Sequence, residues 1–274
     1  MVNLNLIIST DYEIFGNGSG SVDTCMIAPS NTLMQLCESV GASVCFFVDV
    51  CEYWAFKEAF QSGDLKTNEA EKIANQLKDA IKRGHDVQLH FHPQWLDAKY
   101  ENGGWKLNYE YCRLPKVEEH SNWTVYSLFE KGKKTLEEMF QSVNPSYKCD
   151  VFRAGAWCIQ PEHEVLEAMN KLGFRIDSTV APGMKYNDER TIYDFSSAPK
   201  KAYWGIGERV TKEDENAELK EYPIFTTKVP SNKNVKFTRL KVSGKIPMHP
   251  EGCERKSDTQ YKKSKLQKAL ELLK

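Results

Sequence analysis

The chain is short of the features that would send it to a membrane or a nucleic acid. No window of its 274 residues approaches the roughly 18 consecutive apolar residues of a bilayer-spanning helix. The start, Met1-Val2-Asn3-Leu4-Asn5-Leu6-Ile7-Ile8, lacks the basic region and long apolar core of a signal peptide, and reads as a first strand. Neither charge dominates. Thirty-seven Lys and Arg stand against 38 Asp and Glu, a formal net charge of -1, which argues against a dedicated nucleic-acid or anionic-membrane binder. Eight cysteines include no CxxC pair and no zinc-finger spacing. Cys37 and Cys45 fall in apolar patterns, where a reduced cysteine behaves as a small hydrophobe, so free thiols and a cytoplasmic location are expected. No repeat of fixed period and no low-complexity tail is present.

What remains is an ordinary globular composition, 41% hydrophobic and 27% charged, long enough to bury a core without staples. Residues 5–10 read as a strand, followed by a Gly-rich turn at Gly16-Asn17-Gly18-Ser19-Gly20. Helical spacing covers residues 31–40, and 43–50 is a buried-strand pattern. An amphipathic helix spans 67–83, with Ile73, Leu77, Ala80 and Ile81 inward and Gly84 closing it. Strand 86–92, helix 121–142, strand 150–153, helix 161–172 and strand 174–177 continue the beat. Residues 181–220 form a polar, acidic stretch that reads as an insertion. Strands at 221–226, 235–240 and 245–248 and a helix at 260–273 complete the reading. The alternation predicts one α/β domain over residues 1–274 with mostly parallel strands.

Ligands of parallel α/β folds gather at the carboxyl ends of the strands. Here those ends carry Asp11-Tyr12-Glu13, His90-Phe91-His92-Pro93, Phe152-Arg153-Ala154-Gly155, Ile176-Asp177-Ser178 and Met248-His249-Pro250. His90 and His92 are two apart, so on a strand both imidazoles leave one face. With a carboxylate from the first strand they make a facial set for a divalent metal; the plainer alternative is a pair of hydrogen-bonded core histidines. Asp11 and Glu13 also share a face, one to hold the metal and the other to take a proton from water. Arg153 at a strand end calls for a carboxylate partner. Asp177 and His249 can form an acid–imidazole pair. His85 after the Gly84 turn reads as structural, and His120 and His163 receive no role. Trp95, Tyr100, Trp105, Tyr109 and Tyr111 fall in a polar segment, where they either stack on sugar rings or pack a long loop. The Gly-rich run lacks the Gly-Lys-Ser/Thr ending of a phosphate loop and reads as a mobile loop beside the site.

Taken in order, these strand ends resemble the five motifs of the polysaccharide deacetylase superfamily, the NodB-homology fold. They are Thr10-Asp11-Tyr12-Glu13, Gly84-His85-Asp86 through His90-Phe91-His92-Pro93, Phe152-Arg153-Ala154-Gly155-Ala156-Trp157, Asp177-Ser178 and Met248-His249-Pro250-Glu251, spread over residues 4–251. The family pattern has two adjacent aspartates where a Tyr intervenes here, histidines four apart where these are two apart, and often a Pro where Gly155 stands. These departures resemble a divergent branch tied to bacterial surface-polysaccharide (O-antigen, capsule) synthesis. The resemblance implies a distorted (β/α) barrel of about seven strands and N-deacetylation of an acetylated sugar, free, nucleotide-linked or lipid-linked. It implies Asp11 as base, Glu13, His90 and His92 as metal ligands, Arg153 holding Asp11, and His249, oriented by Asp177, as proton donor. The implied metal is zinc, with cobalt, nickel or manganese as alternatives. Two other readings are a non-catalytic carbohydrate-binding protein on a decayed deacetylase fold, and an amidohydrolase-type metallohydrolase.

Overall fold

The computed structural model describes residues 5–226. The chain begins with β1 (Ser9–Tyr12), a single π-helical turn leading into α1 (Ala28–Ser39), then β2 (Cys45–Asp49), α2 (Val50–Gln61), α3 (Glu69–Lys82) and β3 (Asp86–Phe91). A small hairpin, β4 (Lys99–Glu101) with β5 (Gly104–Lys106), and a short α4 (Val117–His120) precede α5 (Val125–Phe140). After β6 (Val151–Ala154), α6 (His163–Lys171) and β7 (Ile176–Asp177) come a second hairpin of β8 (Lys185–Asn187) and β9 (Ile192–Asp194), then β10 (Trp204–Gly205) and β11 (Lys220–Glu221). Seven strands form one sheet in the order β1-β2-β3-β6-β7-β11-β10. The first six pair in parallel, and β10 is antiparallel to β11.

Local sequence accounts for the element ends. Asn68 caps α3 by accepting from Glu71 N, and Glu69 and Glu71 sit in its first turn, where they complement the positive end of the helix dipole. Gly84 then takes φ 86° to turn into β3, a conformation that costs other residues energy. Thr124 and Ser127 cap α5 reciprocally. The inward residues expected for α3 are buried, Leu77 and Ala80 at 0% exposure.

The sheet has one apolar and one polar face, set by alternation along the strands. Tyr12, Phe46, Val48, Leu89, Phe91 and Phe152 alternate onto the apolar side and are buried. Phe91, Phe129 of α5 and Phe152 pack with centroids 4.6–5.5 Å apart. Each such side chain is worth about 1.5–3 kcal/mol on burial. A Cβ on Gly132 of α5 would lie 2.9 Å from Leu89 and Phe91, so the missing side chain is what lets this helix sit so close to β3. The opposite face carries Asp11, Asp49, Gln88, His90 and Arg153. The register pairs Asp11 with Phe47, Asp49 with His90, and His90 with Arg153.

Several expectations need adjustment. Among the described residues the sheet does not close, and β1 and β10 are its two edges. β1 runs Ser9–Tyr12 rather than 5–10, since pairing with β2 decides which extended residues become strand. Helix α2 has no counterpart in the sequence reading; it starts directly at the end of β2, where the Asp49 side chain accepts from Cys51 N. The stretch 181–220 carries the β8–β9 hairpin and β10. Strand 221–226 shrinks to a pair beginning at Lys220, while 235–240, 245–248 and 260–273 lie outside the described residues. Cys37, Cys45, Cys51, Cys112, Cys149 and Cys158 are free. Cys25 is disulfide-bonded, which corrects the expectation that every thiol is free.

Candidate metal centre

Glu13 follows the last residue of β1 and keeps its alternation, so its carboxylate leaves the same face as Asp11. Its backbone is held from the next residue: Ile14 N donates to both oxygens of the buried Glu52 on α2, at 3.2 and 3.1 Å. From this anchor Glu13 Oε2 reaches within 2.9 Å of His92 Nε2 and 3.5 Å of His90 Nε2. One ligand atom from each of Glu13, His90 and His92 lies within 4.8 Å of the others. The sequence expectation that the first-strand acid meets both imidazoles holds.

The donor set fits a divalent cation. Two donors bound to one four-coordinate zinc at about 2.0–2.1 Å stand about 3.3 Å apart, close to the two observed separations. Glu13 Oε2 and His90 Nε2 are both buried, and neither has a hydrogen-bond partner. Contact without hydrogen-bond alignment is what donors aimed at a common point give, whereas a simple core pair would be aligned. His90 Nδ1 sits 2.7 Å from Arg153 O. A proton on Nδ1 donated to that carbonyl leaves the Nε2 lone pair facing the cluster, the usual support of a ligating histidine.

His92 is held by two residues that sequence reasoning passed over. Asp49 Oδ1 accepts from His92 N at 3.1 Å and from Cys51 N at 3.0 Å. Gln94 Nε2 lies 3.1 Å from His92 Nδ1. The signal for Asp49 was present, since it ends the apolar run Cys45–Asp49 and falls under the same strand-end rule as the others. Gln94 offered none: it follows Pro93 in a loop. On the far side, Gly155 leaves no room for a side chain. A Cβ there would collide with Phe91 O and lie 2.8 Å from His92 Nδ1. The next two residues, Ala156 and Trp157, adopt φ 50° and 57°, a left-handed conformation uncommon outside glycine.

Electrostatics follow from crowding three carboxyls and two imidazoles in a buried space. Burial alone would raise the Glu13 pKa, but His92 and then His90 hold it well below the usual carboxylate range. Burial opposes charge on His92, yet Glu13, Asp49 and Asp11 bring its pKa up to about 9. Asp49 is pushed up to about 6, by burial first and Glu13 second, against the opposing pull of His92. Glu52 goes well above the normal value through burial, Asp49 and Glu13.

Arg153 finds the carboxylate it was expected to need. Its Nη1 donates to Asp11 Oδ1 at 2.8 Å, Nη2 to Ser9 Oγ at 2.7 Å, and Nε to Ser178 O at 2.9 Å. The guanidinium lies 4.0 Å from the centre of the Phe47 ring, a cation–π contact. Asp11 itself is 41% exposed at its side chain, so it looks out from the site while remaining tethered.

Asp177 is fully buried and accepts from Thr179 Oγ1 at 2.6 Å. It pairs in register with Glu221, and burial first, with the neighbouring Asp177 second, raises the pKa of Glu221 well above normal. Burial raises Asp177 as well. Its expected partner His249 lies outside the described residues. Three other expectations resolve simply. His85 is structural, accepting from Val44 N at 3.2 Å and meeting Glu38 at 3.0 Å. Trp95, Trp105 and Tyr111 are buried, and the two tryptophans pack on Phe56 at 6.0 and 5.1 Å, so they pack the loop rather than offer themselves to sugars. Gly18 of the Gly-rich run lies against Trp105, 2.7 Å from its Cβ if given a side chain. No helix among the described residues is long and apolar enough to cross a membrane.

No family model, no curated protein and no solved structure matches this chain.

Proposed function

We propose that the protein is a metal-dependent hydrolase of the polysaccharide deacetylase type, removing an N-acetyl group from a sugar or surface-polysaccharide precursor. One observation carries the reading: Glu13 converges with the imidazoles of His90 on β3 and His92 just beyond it at the carboxyl end of the sheet, beside an acid tethered by Arg153. The parallel strand order advances without reversal from β1 to β11. With right-handed crossovers, that winding puts the helices on one face and curls the other inward, as in a barrel. This winding supports a site at the mouth of a distorted (β/α) barrel. His-x-His on the third strand, rather than on the first, argues against an amidohydrolase.

Glu13, His90 and His92 hold the ion. Zinc suits this set best, and cobalt, nickel and manganese also accept imidazole and carboxylate. When bound, the ion polarises the amide carbonyl and makes a water acidic. Asp11, with one oxygen fixed by Arg153, takes the proton of the attacking water through the other. The carbon–nitrogen bond breaks, acetate leaves, and the amine takes up a proton, a transfer that the family resemblance implies for His249. Arg153 holds the Asp11 carboxylate in place through its hydrogen bond to Oδ1.

The test is acetate release from a panel of N-acetylated sugars, free, nucleotide-linked and lipid-linked, with zinc, cobalt, nickel or manganese added to metal-stripped protein. Equal amounts of acetate and free amine support the reading. Protein holding one equivalent of metal that releases no acetate from any of them refutes it.

A further inference from the structure

Arg153 is joined to β1 across the hollow of the sheet. In the strand order β2 and β3 stand between β1 and β6, so in a flat sheet β1 and β6 would lie about 14 Å apart. Side chains standing up from a flat sheet do not bridge such a gap. Yet Arg153 of β6 touches β1 twice: its Nη1 donates to Asp11 Oδ1 at 2.8 Å and its Nη2 to Ser9 Oγ at 2.7 Å. The polar face is therefore concave, and the guanidinium crosses it.

Ser9 and Asp11 are two apart on one strand, so both side chains leave the same face, and each takes one terminal nitrogen of a single planar group. The rest of that group is held from just beyond β7. Nε donates to Ser178 O at 2.9 Å, Nη2 also lies 3.3 Å from Ser178 Oγ, and that hydroxyl donates to Tyr222 O at 2.9 Å. The guanidinium rests on the Phe47 ring at 4.0 Å. The Arg153 side chain is 8% exposed, against 41% for Asp11. Arg153 holds Asp11 through one oxygen, so the aim of that carboxylate follows the tilt of the guanidinium. Without Ser9, Nη2 keeps only the long contact to Ser178 Oγ, and the plane is free to tilt.

We infer that Ser9 is a positioning residue for Asp11, acting through Arg153: its hydroxyl fixes the guanidinium so that the second Asp11 oxygen faces the attacking water. The inference rests on the proposed role of Asp11 as base, and it names the residue that aims that base.

The experiment follows acetate release from the panel of N-acetylated sugars by zinc-loaded wild type, Ser9→Ala and Ser9→Thr, each also in an Asp11→Asn background. Side-chain 1H–15N spectra of Arg153, assigned with Arg153→Lys, are recorded on the same proteins. Ser9→Ala should lower kcat about tenfold or more, the scale of a misaimed group, with KM within about twofold. Ser9→Thr keeps the hydroxyl and should stay within about threefold of wild type. In the Asp11→Asn background the cost of alanine should shrink to within about twofold, because the group it acts through is gone. The Nη2 protons of Arg153 should rotate slowly in wild type and Ser9→Thr and average in Ser9→Ala. A purely structural Ser9 would give the same alanine cost in both backgrounds. That result, wild-type kcat in Ser9→Ala, or equal losses in the Thr and Ala variants overturns the inference, as do Arg153 spectra indifferent to Ser9. Wild type that releases no acetate, while its Arg153 spectra respond to Ser9→Ala, overturns the proposed reaction alone.

Discussion

Replacing Glu13 by Gln in metal-free protein gives a stability loss that depends on pH in a definite direction. His92 has its pKa raised from 6.5 to about 9, with Glu13 the largest favourable cause against burial. A rise of that size corresponds to about 3 kcal/mol favouring the protonated ring in the folded state. A histidine whose folded pKa lies above its unfolded value contributes its full stabilisation below pH 6.5 and loses it as pH climbs through about 9. Asp49 and Glu52, both raised by burial first, also feel Glu13; once ionised they are eased by its loss, which lowers the penalty further toward alkaline pH, in the same direction as His92. Glu13→Gln should therefore cost about 3 kcal/mol at pH 6 and much less at pH 9.5. Urea unfolding of both proteins with EDTA, at pH 6, 7, 8 and 9.5, measures the difference. A penalty that is the same within about 0.5 kcal/mol at pH 6 and 9.5 would mean that Glu13 and His92 are not an ion pair in the metal-free state.

The remaining expectations concern the loaded site and its walls. Because His92 must lose its proton to bind an ion, zinc affinity should climb by up to about tenfold per pH unit and level off near pH 9; a flat titration curve from pH 6.5 to 9 would exclude His92 as a ligand. Asp11→Asn keeps an oxygen for Arg153 and leaves zinc binding within about threefold, but should lower acetate release by about 100-fold or more. Unchanged turnover in that variant removes Asp11 as the base. Gly155→Ala pushes a methyl against Phe91 O and His92, and should destabilise the protein by about 1–3 kcal/mol in urea unfolding and weaken zinc binding; wild-type behaviour in both would show that the turn has room to shift.

Much of the centre was legible in one dimension because two rules apply without knowledge of the fold. Alternation along a strand puts residues two apart on one face, which linked His90 to His92 and Asp11 to Glu13. Parallel α/β sheets gather chemistry at their carboxyl ends, which selected those segments. The same rule reached Asp49, but a strand running straight into a helix disguised it. Helix α2 was missed for a related reason: Asp49 serves at once as the last strand residue and the helix cap, so no turn signal separates the two.

What the sequence determined by itself was the identity of the donors, the face each occupies and the α/β alternation, since these depend on backbone periodicity and residue chemistry alone. Tertiary structure decided the rest. The contact of Glu13 with two rings some eighty residues away depends on strand order and register. The hold of Glu52 on Ile14, the meeting of Gln94 with His92 Nδ1, and the pairing of Asp177 with Glu221 depend on how loops and neighbouring strands pack. Such contacts join residues by their separation in space, and a separation in space is fixed only after the sheet has set which strands lie side by side.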